Sequence, residues 1–333
     1  MTTRVAVNGF GRVGRSFLRA ARGRGLEVVA VNDITDGATL AHLLASDSTL
    51  GAYPDRVVAD EGALLVGDAK ITLLNESDPN LLDWESLGVD IVIEATGRMR
   101  TADTASTHIA RGARKVLVSA PGKNLDFTAV YGINHTEYDP ERHHLVSAAS
   151  CTTNCVVPMV TVLHRAYGLE AGLMTTVHAY TSDQSLLDGP HKDPRRARAA
   201  AVNIIPTSTG AARTAGVVLP ELAGRLDGVA VRVPVEDGSL TDLTLMLDSS
   251  TDADAVNAEF QHAADDGLAG ILRYSEAPLV SRDIIGDPAS CVFDASLTQA
   301  MGRLVKVFGW YDNEYGYSSR LVDMATYMGR FLS

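Results

Sequence analysis

Between Arg4 and Asn8 the chain runs through strand-type apolar residues and then, with no spacer, into Gly9-Phe10-Gly11-Arg12-Val13-Gly14. Phe17, Leu18 and Ala21 follow at helical spacing. Strand, GxGxxG and helix in that order leave few folds open. The glycines are needed where the backbone turns tightly, approaches a pyrophosphate and lets the helix pack on the strand. Gly9 and Gly11 are the candidates for that approach. A second strand, Glu27 to Val31, ends in Asn32-Asp33. An acidic residue about twenty positions beyond the glycines suits the ribose 2′-hydroxyl of NAD, and its charge would repel a 2′-phosphate, so NAD is favoured over NADP. A plain βα turn with a solvated aspartate is the alternative, and three elements in register weigh against it.

The amino-terminal half continues in the same style. Strands are predicted at Arg56–Ala59, Leu64–Val66, Ile71–Leu74, Val89–Glu94 and Lys115–Ser119, with a helix near Thr101–Arg111. Strands alternating with helices imply a doubly wound parallel sheet whose ligands sit beyond the carboxyl ends of the strands. Thr96-Gly97 and Ser119-Ala120 stand at such ends, where they serve the cofactor or are ordinary loop residues.

A strand pattern at His144–Ser147 then leads through Ala148-Ala149-Ser150 to Cys151, and a helix is predicted from Thr152 to Tyr167. At a helix N-terminus the free N–H groups and the macrodipole favour a thiolate, below the ordinary pKa of about 8.5. Cys151 is a nucleophile or a buried structural thiol; position alone does not separate the two. Leu173 to Tyr180 alternates as a strand with Val177 on one face and His178 on the other, and an imidazole downstream of a helix-terminal cysteine is a recurring way to activate the thiol. His143-His144 reads as part of a solvated charged loop.

Residues 181–203 form a long polar stretch with Pro190, Pro194 and the cluster Lys192, Arg195, Arg196, Arg198. Loops of that length without elements of their own are usually functional, here at a ligand site or a subunit contact. Pro206-Thr207-Ser208-Thr209-Gly210-Ala211-Ala212 is a hydroxyl-rich turn into a helix, either a phosphate site or an ordinary cap. Val229, Val231, Val233 and Val235 are expected to build one buried face, turning Arg232 to the other, where it suits bidentate phosphate binding or a salt bridge at a sheet edge. Strands near Leu243–Leu247, Cys291–Phe293 and Leu304–Trp310 and a helix around Asp252–Asp265 suggest a mixed sheet. Leu321, Met324, Ala325, Met328, Phe331 and Leu332 mark one stripe of a closing helix, expected to dock back on the first domain.

Composition removes whole classes of function. The net charge of −12 argues against a general nucleic-acid or acidic-membrane binder, and no stretch approaches the roughly 18 apolar residues of a membrane span. Three cysteines at irregular spacing suggest neither a disulfide framework nor a structural zinc site, and no metal is expected. A cytoplasmic protein of α/β class follows as the expectation. It divides into a Rossmann-type NAD-binding domain over residues 1–150, completed by the C-terminal helix 315–333, and an α+β catalytic domain with a mixed sheet over residues 151–314.

Ser147-Ala148-Ala149-Ser150-Cys151-Thr152-Thr153-Asn154-Cys155 resembles the active-site segment of phosphorylating glyceraldehyde-3-phosphate dehydrogenases. The likeness runs through nearly the whole chain. It includes Asn8 to Arg15, Thr176 to Thr181, His191-Lys192-Asp193, Ser208 to Ala212, Arg232-Val233-Pro234 and Trp310 to Glu314. The resemblance implies Cys151 as nucleophile and His178 as its base. Thr181 and Arg232, with help from Arg196, would hold the substrate phosphate, and Ser150, Thr152, Thr209 and Gly210 inorganic phosphate. Arg12, Val13, Asp33, Ser119 and Asn313 would bind the cofactor, with Tyr317 nearby. It also implies glyceraldehyde 3-phosphate and inorganic phosphate as substrates and a homotetramer whose long loop reaches a neighbour.

Some positions depart from that pattern. Ser77 stands where an arginine is frequent, Gly189 where a leucine is common in NAD-specific members, and Val235 to Ser239 where Thr and Asn-Val-Ser are more typical; Tyr315 replaces a frequent tryptophan or threonine. The rival readings are an erythrose-4-phosphate dehydrogenase using the same thiol chemistry, a cysteine hydrolase, and a catalytically silent NAD-binding protein.

Overall fold

Val5, Ala6 and Val7 are wholly buried along the strand Thr3–Asn8 (β1), as an unbroken apolar run requires when helices cover both faces of a sheet. The computed structural model describes residues 2–332, in two compact units. One runs to Ala149 and takes back the segment from Ser318; the other is Ser150–Tyr317.

In the first unit β1 is followed by α1 (Arg12–Ala21), β2 (Leu26–Asn32) and α2 (Gly37–Ala45). Then come the short pair β3 (Ser46–Asp47) and β4 (Gly51–Ala52), and β5 (Val57–Asp60), β6 (Ala63–Val66) and β7 (Ala69–Leu74). β8 (Ile91–Glu94), α3 (Ala102–Ala110), β9 (Lys115–Val118), β10 (Phe127–Thr128) and β11 (Leu145–Ser147) complete it. The sheet order is β10-β11-β9-β8-β1-β2-β7-β6-β5, parallel from β10 to β7 and antiparallel across β6 and β5. The order reverses beside β1, which is where such sheets open a crevice for ligands.

The second unit contains α4 (Cys151–Tyr167), β12 (Ala171–Ala179), β13 (Ile205–Ser208), α5 (Ala211–Val218), β14 (Leu226–Val233) and β15 (Ser239–Met246). After them come α6 (Ala253–Asp265), β16 (Leu272–Ser275), β17 (Cys291–Asp294), β18 (Gln299–Met301) and β19 (Leu304–Tyr311). Its sheet runs β13-β14-β12-β15-β19-β17-β16, with β18 on β19, and mixes parallel with antiparallel pairs. The α/β class with a mixed second sheet is the one the sequence implied. Residues Thr152 to Leu163 of α4 are buried without a break, so this helix is the core of the unit rather than a cover for it. Gly309 on β19 lets it settle: a Cβ there would lie 2.6 Å from the sulfurs of Cys291 and Met159.

The helix α7 (Tyr315–Gly329) carries the chain back, and from Ser318 it belongs to the first unit. Asp323 pairs with Arg24 at 2.6 Å, and Tyr327 lies edge-on to Tyr131, His135 and Tyr138. Phe331 and Leu332 lie past its end; Phe331 is exposed and rests against Tyr327 and Tyr138, so the expected stripe stops short. α2 has no counterpart among the sequence expectations; Asp36 caps it at Thr39 N–H. Val89 donates to the Trp84 carbonyl in a turn, and β8 begins only at Ile91. His143 is half-buried and stacks on Phe127 at 4.7 Å, which corrects its reading as solvated.

Candidate active site

The turn after β1 is built as the glycines dictate. Gly9 has φ +94°, and a Cβ on it would stand 2.6 Å from the Thr96 nitrogen; one on Gly14 would stand 2.2 Å from the Gly9 carbonyl oxygen. Gly11 caps α1 and offers its first turn no side-chain hydrogen bond, the form of helix start that suits an anion. Asp33 bridges the turn: Oδ2 accepts from Phe10 N–H at 2.8 Å and Oδ1 from Thr35 N–H at 2.9 Å. Gly9, Gly11, Asp33 and Thr35 line a cavity of about 480 Å³ with Asn8, Asn32, Glu76, Ser77, Thr96 and Met99. Glycine approach, uncapped helix and carboxylate together fit a dinucleotide. Arg12 turns to an ion pair with Asp47, Val13 is half-buried in α1, and Ser119, half-buried beyond β9, donates its N–H to the Glu94 carbonyl at 2.9 Å.

Beneath that cavity runs a buried polar chain that sequence reasoning missed. Trp84 Nε1–H donates to His108 Nδ1 at 3.0 Å. Indole nitrogen only donates, so Nδ1 carries no proton, and His108 Nε2–H must donate to Glu94 Oε2 at 3.0 Å. Glu94 also accepts from Asn8 Nδ2 at 2.7 Å and Thr96 N–H at 2.8 Å, and Asn8 Oδ1 accepts from Asn32 Nδ2 at 2.8 Å. A network satisfied at every member is rigid, and it fixes the residues that line the cofactor cavity. The Thr96-Gly97 end of β8 was visible in sequence; the histidine beneath it had no signal of its own.

A left-handed Ala149 (φ +55°) ends the first stretch of the first unit, just ahead of α4 in the second. Ser150 caps that helix, accepting from Thr153 N–H at 3.1 Å, and Cys151 begins it. β12 brings His178 to the thiol: Nε2 lies 3.5 Å from Cys151 Sγ. His178 Nδ1 lies 2.6 Å from the Ala179 carbonyl oxygen and 3.0 Å from Arg232 Nη1. The shorter contact would be repulsive without a proton, so Nδ1 carries the hydrogen and Nε2 faces the sulfur with its lone pair. Burial, and next the Arg232 charge, push the His178 imidazole down to about 3. Burial likewise pushes the Cys151 thiol up to about 11, against the pull of Arg232 and Thr152. The thiolate expected from helix position alone is therefore not favoured by itself. Charges formed together are another matter. At about 4 Å a thiolate and an imidazolium attract by about 4 kcal/mol at an effective dielectric of 20, so the two titrate as a pair.

Arg232 sits opposite His178 in the β12–β14 register. Its Nη1 donates to the Ala179 carbonyl at 3.1 Å and to Thr181 Oγ1 at 3.3 Å, while its buried Nε meets no acceptor. The valine face expected on β14 is corrected here. Leu226 and Ala230, on the same side as Arg232, are the buried residues, whereas Val229 is exposed and Val231 and Val233 only half-buried. Arg196 is engaged by Asp183, Asp193 and Thr207. Thr209 Oγ1 accepts from Ala211 N–H at 3.2 Å, and Gly210 begins α5 with no side-chain cap.

Thr152 does not offer a free hydroxyl: it bonds Tyr311 Oη at 2.9 Å, and Tyr311 also bonds Thr176 at 2.8 Å. Tyr311 thus ties α4 to β12 and sets the Cys–His approach, a role its place beside Trp310 did not disclose. Asn313 is buried, its Oδ1 accepting from Ser239 Oγ at 2.6 Å. Tyr317 is buried, with its hydroxyl pushed well up by burial.

Residues 3–102 match the family model described as the NAD-binding domain of glyceraldehyde 3-phosphate dehydrogenase, and residues 150–313 match the model of its C-terminal domain. Glyceraldehyde-3-phosphate dehydrogenase 2 of Streptomyces arenae is 57% identical over 334 residues, covering 100% of both chains. Glyceraldehyde-3-phosphate dehydrogenase 1 of Streptomyces avermitilis is 57% identical over 331 residues, covering 99% of both. The Mycobacterium leprae glyceraldehyde-3-phosphate dehydrogenase is 51% identical over 340 residues and covers 100% of both.

Proposed function

The chain belongs to the glyceraldehyde 3-phosphate dehydrogenase family, and from that premise we propose the roles of its residues in the reaction. It is an NAD-dependent oxidoreductase that converts glyceraldehyde 3-phosphate and inorganic phosphate to 1,3-bisphosphoglycerate in glycolysis. NAD, when bound, takes up the hydride released at the aldehyde carbon. Cys151 Sγ adds to that carbon, and His178 Nε2 receives the thiol proton. That proton passes to the aldehyde oxygen to give the thiohemiacetal hydroxyl, and the same nitrogen, neutral again, draws it back as the carbon is oxidised. The product on Cys151 is a thioester, which phosphate attacks; the C–S bond breaks and the sulfur leaves as thiolate. An oxygen ester on a serine would be a poorer acyl donor to phosphate.

The observation that carries this assignment is the 3.5 Å approach of Sγ to an imidazole nitrogen whose lone pair the Ala179 carbonyl aims at it. Arg232, with a buried Nε–H left to donate, and Thr181 hold the substrate phosphate, and Arg196 adds charge while tied to Asp183. Thr209 and Gly210 offer the start of α5 to inorganic phosphate, with Ser150 and Thr152 shaping the first turn of α4. Gly9, Gly11, Arg12, Val13, Asp33 and Ser119 would hold the dinucleotide, with Asn313 as a further cofactor contact. The test is NADH formation from glyceraldehyde 3-phosphate plus phosphate, repeated with NADP, with erythrose 4-phosphate and with Cys151→Ser. Strong activity with NAD, weak activity with NADP and none in the variant are expected. Undiminished turnover in Cys151→Ser would remove the nucleophile, and a preference for erythrose 4-phosphate would reassign the substrate.

The protein acts as a homotetramer in the cytoplasm. Leu173 and Val229 on the β12–β14 region, and Leu186, Leu187, Val202 and Ile204 along the long loop, leave large apolar side chains exposed, which contacts between subunits would cover. Three free thiols suit a reducing compartment. Light scattering on the purified protein should give four times the chain mass; a monomer would refute the assembly. Cell fractionation that places the protein outside the cytosol would refute the compartment.

A further inference from the structure

The corner between β14 and β15 holds a carboxyl group that lacks a neutralising partner. Asp237 is fully buried; Oδ1 accepts from the Gly238 N–H at 2.8 Å, and Oδ2 finds no donor. Its side chain instead meets the Asp312 carboxyl. Asp312 is already committed: Oδ2 accepts from Gly286 N–H at 2.7 Å, and Oδ1 from Glu314 N–H at 2.8 Å and Tyr315 N–H at 2.6 Å. The groups that act on Asp237 are Asp312 and Glu314, from the segment after β19, and Cys151, from α4. Arg282 follows Ser281, whose carbonyl closes on Gly238, but it is turned outward to Glu236. No group of His, Cys, Asp and Glu among the described residues is arranged to hold a metal ion. Two like charges in one buried site cannot both persist, and a proton is the neutraliser that remains.

We propose that Asp237 remains a carboxylic acid in the folded protein and donates its proton to Asp312, as a positioning residue for the Asp312–Tyr315 turn that carries Asn313. The geometry of that turn follows from the arrangement. Asp312 Oδ1 gathers the two N–H groups that follow Asn313, and Asn313 itself has its Oδ1 fixed by Ser239 Oγ at 2.6 Å. Its amide N–H is thereby directed away from Ser239 and left to a ligand. Loss of the Asp237 proton sets two carboxylates face to face and loosens the turn. The consequence for NAD rests on the reading of Asn313 as a cofactor contact; the shared proton does not.

Burial, and then the Asp312 and Glu314 charges, push the Asp237 carboxyl up to about 9, from the ordinary carboxyl value of 3.8. Its folded pKa is raised, so the stability linked to it is full below 3.8 and is lost progressively as the pH rises through about 9. Asp237→Asn keeps the shape and a donor without the titration. The experiment compares wild type, Asp237→Asn and Asn313→Ala as full-length proteins, measuring thermal midpoint and NAD Kd from pH 5 to pH 10. The midpoint of Asp237→Asn is expected to gain on wild type steadily with pH up to about 9. Wild-type Kd should weaken by about tenfold for each pH unit beyond that midpoint, because only the protonated form is competent, and the Asp237→Asn profile should stay flat.

Parallel midpoint profiles for wild type and Asp237→Asn would overturn the shared proton. An unchanged Kd in Asn313→Ala would overturn the cofactor reading alone. Should Asp237→Asn fail to fold, infrared absorption of wild type decides the matter: a protonated-carboxyl band that vanishes near pH 9 supports the proposal, and no such band at neutral pH overturns it.

Discussion

Where the proton sits between Cys151 and His178 decides how reactive the sulfur is before any substrate arrives. Neither charge is favoured alone, because burial opposes both, and each is stabilised by the other across 3.5 Å. Removing the imidazole therefore removes the thiolate as well as the base. His178→Asn is expected to slow alkylation of Cys151 by iodoacetamide at pH 7 at least about tenfold and to lower kcat by about 10²–10⁴-fold, with the Kd for NAD unchanged. Alkylation at the wild-type rate would show that His178 does not activate the sulfur. Both residues were legible in the sequence as types in suitable local settings, but their meeting was not. It depends on α4 and β12 being tied through Thr152, Tyr311 and Thr176, three residues far apart in the chain. His108 left still less trace, since its tautomer is set by Trp84 and Glu94 rather than by any neighbour in sequence.

Elements were legible where the cause is local. The strand, glycine turn and helix at the amino terminus are specified by adjacent residues, and Gly14 illustrates the tightness of that specification. Its Cα hydrogen already faces the Gly9 carbonyl, and a methyl group would stand 2.2 Å from that oxygen. Gly14→Ala is expected to cost about 1–3 kcal/mol, as overpacking of a tight site does, and to weaken NAD binding in parallel; a denaturant titration showing wild-type stability would contradict this. β14 was misread because alternation of valines tells which residues share a face, not which face is covered. The seat of α7 makes a second prediction. His135 faces Tyr327 of α7, and His143 packs behind Tyr138, which Tyr327 also meets; both are shifted down, chiefly by burial, so the linked stability is full above about pH 6.5 and is lost as the pH falls through their lowered values. Burial pushes the Tyr138 hydroxyl there up to about 12, so the opposite loss comes only at strongly alkaline pH. Amide exchange across residues 318–329 should accelerate between pH 7 and pH 5, corrected for intrinsic rates, before the strands of the first unit respond. Uniform exchange would show that the seat has no titration of its own.

At the scale of the whole chain, two parallel-rich and mixed sheets were foreseeable from periodicity, whereas the return of the last helix to the first unit was inferred only from an apolar stripe. That division of labour has a practical yield. The chain contains two tryptophans, one in each unit. Trp84 is sealed in the first unit against a neutral imidazole, and Trp310 is half-buried in the second, with its N–H on Asp294 at 3.0 Å. Their emission colours should differ, the sealed indole bluer than the other. Trp84→Phe and Trp310→Phe would then leave single-colour chains, each an optical label for the melting of one half. Coincident denaturation curves for the two labels would reveal a molecule that comes apart in one step, and separated curves would show which half lets go first.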